Sequence, residues 1–253
     1  MNQRRPNPKS SGQGHGLARA LSKLGYCSRS QAVELARAGR VSVNGVIRRD
    51  PEWRVAPARD RLSVGSKEVK PAKRIYLMLN KPRGLVTTAS DEQGRPTIYE
   101  CLGDALLPFL SPVGRLDKAS EGLLLLSNDT TWAAGLTAPE RHIEKVYHVQ
   151  IDRVADPSLL QLLALGATAG GEHLAAKRAS LLKHGDKNSW LEIVLDEGRN
   201  RHIRRLLGAL QINVIRLVRV AIGPLALGHL AKGQFRHLTE SEVRKLRQGP
   251  LSA

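Results

Sequence analysis

The chain has 253 residues, which suits two domains of ordinary size. Hydrophobic residues make up 41% and aromatics only 4%, so the core must be built mainly from Leu, Val, Ile and Ala. Forty Lys and Arg face 23 Asp and Glu, a formal net charge of +17, and such a surface attracts polyanions, nucleic acid first among them.

The sequence also excludes several classes. No apolar run approaches the ~20 residues of a membrane span; stretches such as Leu123 to Leu126 have the size of a strand. Met1 to Gly16 is polar and basic, without the apolar core of a secretory signal. Cys27 and Cys101 have no partners at metal-ligand spacing, and no P-loop or dinucleotide fingerprint is present. The expectation is a cytoplasmic protein without membrane association, metal or cofactor.

In chain order, residues 1–14 read as a disordered basic tail containing Arg4, Arg5 and Lys9. Leu17, Leu21 and Leu24 fall on one face of a short helix ended by Gly25. Ser28 or Ser30 can cap a second helix, running to about Ala38, that buries Ala32, Leu35 and Ala36. Val41-Ser42-Val43 alternates like a strand, and Asn44-Gly45 is a strong hairpin turn. Residues 15–66 thus form a small N-terminal α/β unit. Arg29, Arg37 and Arg40 surround its second helix and turn, placed to follow a phosphate backbone, although a solvated basic face explains them equally well.

The basic stretch from Lys67 to Arg74 reads as a linker. Residues 75–247 then form an α+β domain with a mixed, mainly antiparallel sheet, because strands and helices mix without regular alternation. Strands are predicted at Ile75–Leu79, Leu123–Leu126, Val146–Ile151, Trp190–Leu195 and Val214–Val218. Helices are predicted at Pro157–Leu165, Arg201–Leu210 and Glu240–Leu246.

The chemistry concentrates at Gly114-Arg115-Leu116-Asp117-Lys118-Ala119-Ser120-Glu121-Gly122, a loop rich in glycine and charge that feeds a buried strand. Arg115 and Lys118 flank Asp117, and nearby cations favour its ionised form. A carboxylate in a basic cleft is a candidate nucleophile, while a surface ion pair is the plainer reading of the same residues. On the predicted basic helix, Ile203, Leu206, Leu207 and Leu210 fall at core spacing, leaving Arg201, Arg204 and Arg205 together on another face.

Two resemblances give these patterns direction. The run from Leu17 to Gly45 resembles the RNA-binding domain named after ribosomal protein S-four. The Gly114–Asp129 segment resembles the catalytic motif of pseudouridine synthases, in the RsuA branch that modifies ribosomal RNA. Asn80-Lys81-Pro82-Arg83-Gly84 with Thr87, Lys145-Val146-Tyr147, and Glu197-Gly198-Arg199-Asn200-Arg201-His202-Ile203-Arg204-Arg205 agree with that branch in order. So do Gly223-Pro224 and Leu238-Thr239-Glu240.

The resemblance implies isomerisation of a uridine in ribosomal RNA or a pre-ribosomal particle without a cofactor, and a monomer is the expectation. It implies Asp117 as the catalytic aspartate. Tyr147 would stack on the flipped base and serve in proton transfer, and Arg204 would pair with Asp117. RNA contacts fall to Arg29, Arg37, Arg40, Lys81, Arg115, Lys118, Arg199, Arg201 and Arg205. His148, next to Tyr147, points to the opposite sheet face and is read as structural. His202 stands where this motif usually has Gln or Glu, and Gln211 where the family often has Gly. Asp91-Glu92-Gln93-Gly94-Arg95-Pro96-Thr97 looks more like the members that act on the large subunit. The competing readings are a non-catalytic rRNA-binding assembly factor and a ribosomal structural protein.

Overall fold

The structure, a computed structural model, describes residues 14–248, so the expected basic tail lies, apart from Gly14, outside the described residues. The chain divides into two compact units, one containing the residues up to Arg74 with Leu107–Leu110, the other Ile75–Leu106 and the residues from Ser111.

The first unit runs β1 (His15–Gly16), α1 (Leu17–Lys23), α2 (Arg29–Arg37), β2 (Val41–Val43), β3 (Val46–Ile47), β4 (Arg54–Val55), β5 (Leu62–Val64) and β6 (Lys67–Glu68). Ser28 starts α2 through a capping box: its hydroxyl accepts from Gln31 N–H, and the Gln31 side chain accepts from Ser28 N–H. Leu17, Leu21, Ala32 and Ala36 pack with Val41, Val43, Leu62 and Val64, while Leu35 stays half-buried. Asn44 and Gly45 both take positive φ, 53° and 81°, as the tight turn joining β2 to β3 requires. The sheet order is β3-β2-β5-β6. The stretch expected as a linker therefore begins as a strand, and Val69 lies in this unit's core.

The second unit contains β7 (Tyr76–Lys81), β8 (Ser111–Val113), β9 (Glu121–Ser127), α3 (Thr130–Thr137), β10 (Lys145–Ile151), α4 (Pro157–Leu165) and the small hairpin β11 (Ala167–Ala169) and β12 (Glu172–Leu174). It continues with β13 (Arg178–His184), β14 (Ser189–Leu195), α5 (His202–Ala209), β15 (Val214–Ile222), β16 (Leu225–Ala226), β17 (Phe235–His237) and α6 (Glu240–Gln248). The main sheet has the order β13-β14-β10-β15-β9-β7-β17, with β16 beside β15 and β8 beside β9. Its pairings are antiparallel except that of β9 with β15. The mixed, mainly antiparallel sheet expected from the sequence is the one observed.

Two cores cover this sheet. Leu123 and Leu125 join Met78, Trp132, Leu136, Ile143 and Leu246 in one. Val149, Ile151, Leu191 and Ile193 join Leu159, Leu163, Ile203, Leu206 and Leu207 in the other. All of β9 is buried, which explains why Leu123–Leu126 shows no alternation. The parallel joint depends on Gly122: its φ is +101°, and a Cβ there would lie 2.3 Å from the carbonyl oxygen of Arg219. Only glycine lets β9 and β15 approach so closely, and this approach brings the loop before β9 next to β15 and β10.

Candidate active site

The loop that precedes β9 is held by its backbone. Arg219 Nη1 donates to Arg115 O at 3.5 Å, and the Thr87 hydroxyl donates to Leu116 O at 2.7 Å. Lys81 Nζ donates to Asp117 O at 3.2 Å and to Ser120 O at 2.9 Å. Gly84 N–H donates to Lys118 O at 2.8 Å, and Arg204 Nη2 to Ala119 O at 3.2 Å. Every carbonyl from Arg115 to Ser120 thus accepts a hydrogen bond from outside the loop, four of them from the cationic side chains of Lys81, Arg204 and Arg219. The Asp117 carboxylate, in contrast, has no hydrogen-bond or ion-pair partner among the described residues.

That half-buried carboxylate borders a cavity of about 560 Å³ that is also lined by Lys145, Tyr147, Asp196, Arg204 and Arg219. A shallower depression of about 420 Å³ shares Asp117, Arg115 and Asn200 with it and is walled by Thr87, Asp91, Arg95 and Lys118. Asp91 closes its own loop by accepting from Gln93 N, Arg95 N and the Arg95 guanidinium, and the guanidinium holds its carboxyl down at about 2.

Tyr147 lies in the middle of β10, directly across from Arg219 on β15 and Ile193 on β14. Its hydroxyl has no hydrogen-bond partner among the described residues, and its ring packs on the core beneath. His148 faces the other way and sits 3.7 Å from Glu192, outside the cavity, as strand alternation requires.

The three arginines of α5 separate by partner. Arg201 occupies the N-cap in a left-handed conformation, φ 48°, and its exposed side chain has no partner among the described residues. Arg204 is half-buried, and instead of the expected ion pair with Asp117 it donates to Val214 O and Ala119 O. Backbone carbonyls lie nearer to its donors than the carboxylate does. Burial depresses the guanidinium's proton affinity, Arg201 adds to this, and Asp117 opposes it through space. Arg205, expected at phosphate, is tied to Ala169 O and Glu172, clamping the β11–β12 hairpin.

Lys81 needs a similar correction. It is fully buried, with its ammonium directed at three carbonyls, Pro82 O included, so it supports the loop from inside the protein. Burial pushes its pKa down to about 8. Arg199 is exposed but paired with Glu197 at 2.8 Å. Arg115 and Lys118 are exposed at the cavity and carry no partner among the described residues. On the first unit Arg29, Arg37 and Arg40 are all exposed, Arg29 within 3.4 Å of Glu52.

Sequence reasoning missed three cations. Arg83 is exposed and acts electrostatically on Arg204. Lys145 lines the cavity, and burial, followed by Arg219, lowers its pKa. Arg219 is 6% exposed, at the cavity wall. His202, the departure from the family motif, is buried with Nδ1 3.1 Å from Glu197, and burial lowers its pKa. Among the described residues no three His, Cys, Asp or Glu side chains gather as metal ligands, and no helix is long and apolar enough to cross a membrane.

Comparison with known proteins gives this geometry a context. The sequence profile of the RNA pseudouridylate synthase family matches residues 75–209, and that of the S4 domain matches residues 16–60. An RNA pseudouridine synthase of Aquifex aeolicus (strain VF5), described as uncharacterized, is 37% identical over 227 residues, 89% of this chain and 91% of its own length. Ribosomal large subunit pseudouridine synthase B of Bacillus subtilis (strain 168) is 33% identical over 233 residues, 91% of this chain and 95% of its own. A pseudouridylate synthase crystal structure superposes with a TM-score of 0.64 at 31% identity, over 92% of this chain and 99% of its own.

Proposed function

The chain belongs to the RNA pseudouridine synthase family, as an RsuA/RluB-type enzyme with an N-terminal S4 domain, and on that premise we propose that it isomerises one uridine of large-subunit ribosomal RNA with Asp117 as the catalytic carboxylate. One observation carries the choice of Asp117. Six consecutive carbonyls of its loop are held from outside while its carboxylate is left unengaged at the cavity. A side chain presented in this way acts on a substrate without first breaking a bond of its own, the preorganisation that catalysis favours.

The other roles follow from position. A uridine in folded RNA must leave its stack, at a cost of a few kcal/mol. The Tyr147 ring supplies a surface on which the flipped base stacks, and its hydroxyl is placed for proton transfer. Arg204 keeps the loop in place and adds positive potential to the carboxylate's surroundings. Arg115, Lys118 and Arg201 bind phosphate around the opening, and Arg29, Arg37 and Arg40 hold RNA on the S4 domain. The Asp91–Thr97 segment selects the target from the adjoining depression, and large-subunit RNA is the substrate by analogy with the Bacillus relative. The protein acts in the cytoplasm as a monomer.

Isomerisation moves the glycosidic bond from N1 to C5 and releases the hydrogen of C5. The test is tritium release from rRNA transcripts labelled at C5 of uridine. The full-length protein should release one equivalent per target site, and Asp117→Asn should release none while binding the RNA as tightly. Release by the variant at the wild-type rate removes Asp117 from the mechanism.

A further inference from the structure

Arg219 has a feature that loop anchoring leaves unused. Its Nε donates to Leu123 O at 2.8 Å, and its Nη1 reaches Arg115 O at 3.5 Å. Nη2 is buried and has no acceptor among the described residues. No carboxylate within 4 Å balances the charge among the described residues, although the side chain is only 6% exposed. A buried guanidinium with an unmade hydrogen bond and no counter-ion is expensive for folding alone. Anchoring accounts for Nε and Nη1 but not for Nη2.

Its position suggests what the donor serves. Arg219 pairs in register with Tyr147, and both side chains line the cavity bordered by Asp117. A base resting on the Tyr147 ring therefore lies beside Arg219. Nη2 can donate into the cavity while Nε and Nη1 keep their bonds to Leu123 O and Arg115 O.

We propose that Arg219 is a catalytic residue that donates through Nη2 to a carbonyl oxygen of the uracil ring and stabilises the base while it is detached. This rests on the pseudouridine synthase reading above. When the bond between C1′ and N1 breaks, its electron pair stays with the base, and the negative charge spreads over N1 and the two ring carbonyl oxygens. C5 then bonds to C1′, the C5 hydrogen leaves as a proton, and N1 takes one up, so atoms and electrons balance. The charge exists only between these steps. A fixed donor in an enclosed site acts on that interval more than on the neutral ground state.

The test uses the full-length enzyme and rRNA fragments carrying uridine, 2-thiouridine or 4-thiouridine at the target, because sulfur accepts hydrogen bonds more weakly than oxygen. Single-turnover rates and RNA affinity are measured for the wild type, Arg219→Lys and Arg219→Met. The methionine variant should lose about 10²–10³-fold in rate with RNA affinity unchanged. One of the two thio substitutions should slow the wild type roughly tenfold and leave Arg219→Met unaffected. A wild type indifferent to both sulfurs, or a thio effect of equal size in both proteins, overturns the assignment. If the methionine variant does not fold, the wild-type thio effect and its loss in Arg219→Lys decide the matter. A wild type that forms no pseudouridine in the all-uridine RNA overturns the enzymatic reading itself, whereas an active wild type with no thio effect overturns only the role of Arg219.

Discussion

Lys81 Nζ donates to the backbone carbonyls of Asp117 and Ser120, at 3.2 and 2.9 Å, so a fully buried lysine 36 residues upstream holds the candidate nucleophile from beneath. Six loop carbonyls are held in this way, by Lys81, Thr87, Gly84, Arg204 and Arg219. The loop's geometry is fixed through its main chain, and the Asp117 side chain is spared.

That arrangement has a pH signature. Burial lowers the Lys81 pKa to about 8, below the 10.5 of free lysine. As pH rises the folded protein releases this proton first. Between the two values the unfolded chain binds more protons, so this group's contribution to stability rises with pH over that window. The hold on the loop weakens over the same window, because a neutral amine brings two donors to three carbonyls. Single-turnover activity should therefore decline as pH passes about 8 while the melting temperature does not fall, and Lys81→Met should be slow without that decline. An alkaline limb unchanged in Lys81→Met would dissociate Lys81 from it.

The joint between β9 and β15 should tolerate no side chain at position 122. Gly122→Ala places a Cβ 2.3 Å from Arg219 O at a φ of +101° and should cost about 3 kcal/mol or more. Gly198→Ala meets nothing within 4 Å and should stay within about 0.5 kcal/mol of the wild type. Denaturant unfolding of both variants measures the contrast.

Gln211 follows α5 with φ 58°, the left-handed conformation that glycine adopts most freely. A non-glycine residue is strained there, so Gln211→Gly should stabilise the protein by up to about 1 kcal/mol, visible as a higher denaturation midpoint.

Sequence and structure agree best where the signal is local. The Asn44-Gly45 turn and the helix Pro157–Leu165 form as expected, and of the two serines offered as caps for α2 it is Ser28 that caps it. Elsewhere distant residues decide. Lys81 reads as an RNA-contacting cation, and nothing near it in sequence reveals that a loop 36 residues later will cover it. Arg216 and Arg219 are three apart on a strand and point to opposite faces, the first onto Glu121 and the second to the cavity. Only the register of β15 against β10 shows which of them faces the cavity. The helix α3 went unpredicted because Thr130-Thr131-Trp132-Ala133-Ala134-Gly135-Leu136-Thr137 has no apolar stripe, and its one local signal is the Asp129 cap on Trp132 N–H.

The α5 arginines should separate in binding assays as they do in structure. Arg201→Ala should weaken RNA binding and reduce the salt dependence of affinity by about one unit of slope. Arg205→Ala should leave that slope unchanged and lower the melting temperature, because it releases the hairpin at Ala169 and Glu172. Replacing Arg29, Arg37 and Arg40 together by Gln should lower the slope by about two to three units.

This chain is expected to make one pseudouridine in ribosomal RNA through Asp117. The most direct measurement maps pseudouridine in rRNA by carbodiimide adducts and reverse transcription, in cells with the gene, without it, and complemented with Asp117→Asn. One large-subunit stop should vanish on deletion, return with the wild type and stay absent with the variant. An rRNA map unchanged by the deletion, or a stop restored in full by Asp117→Asn, would contradict it.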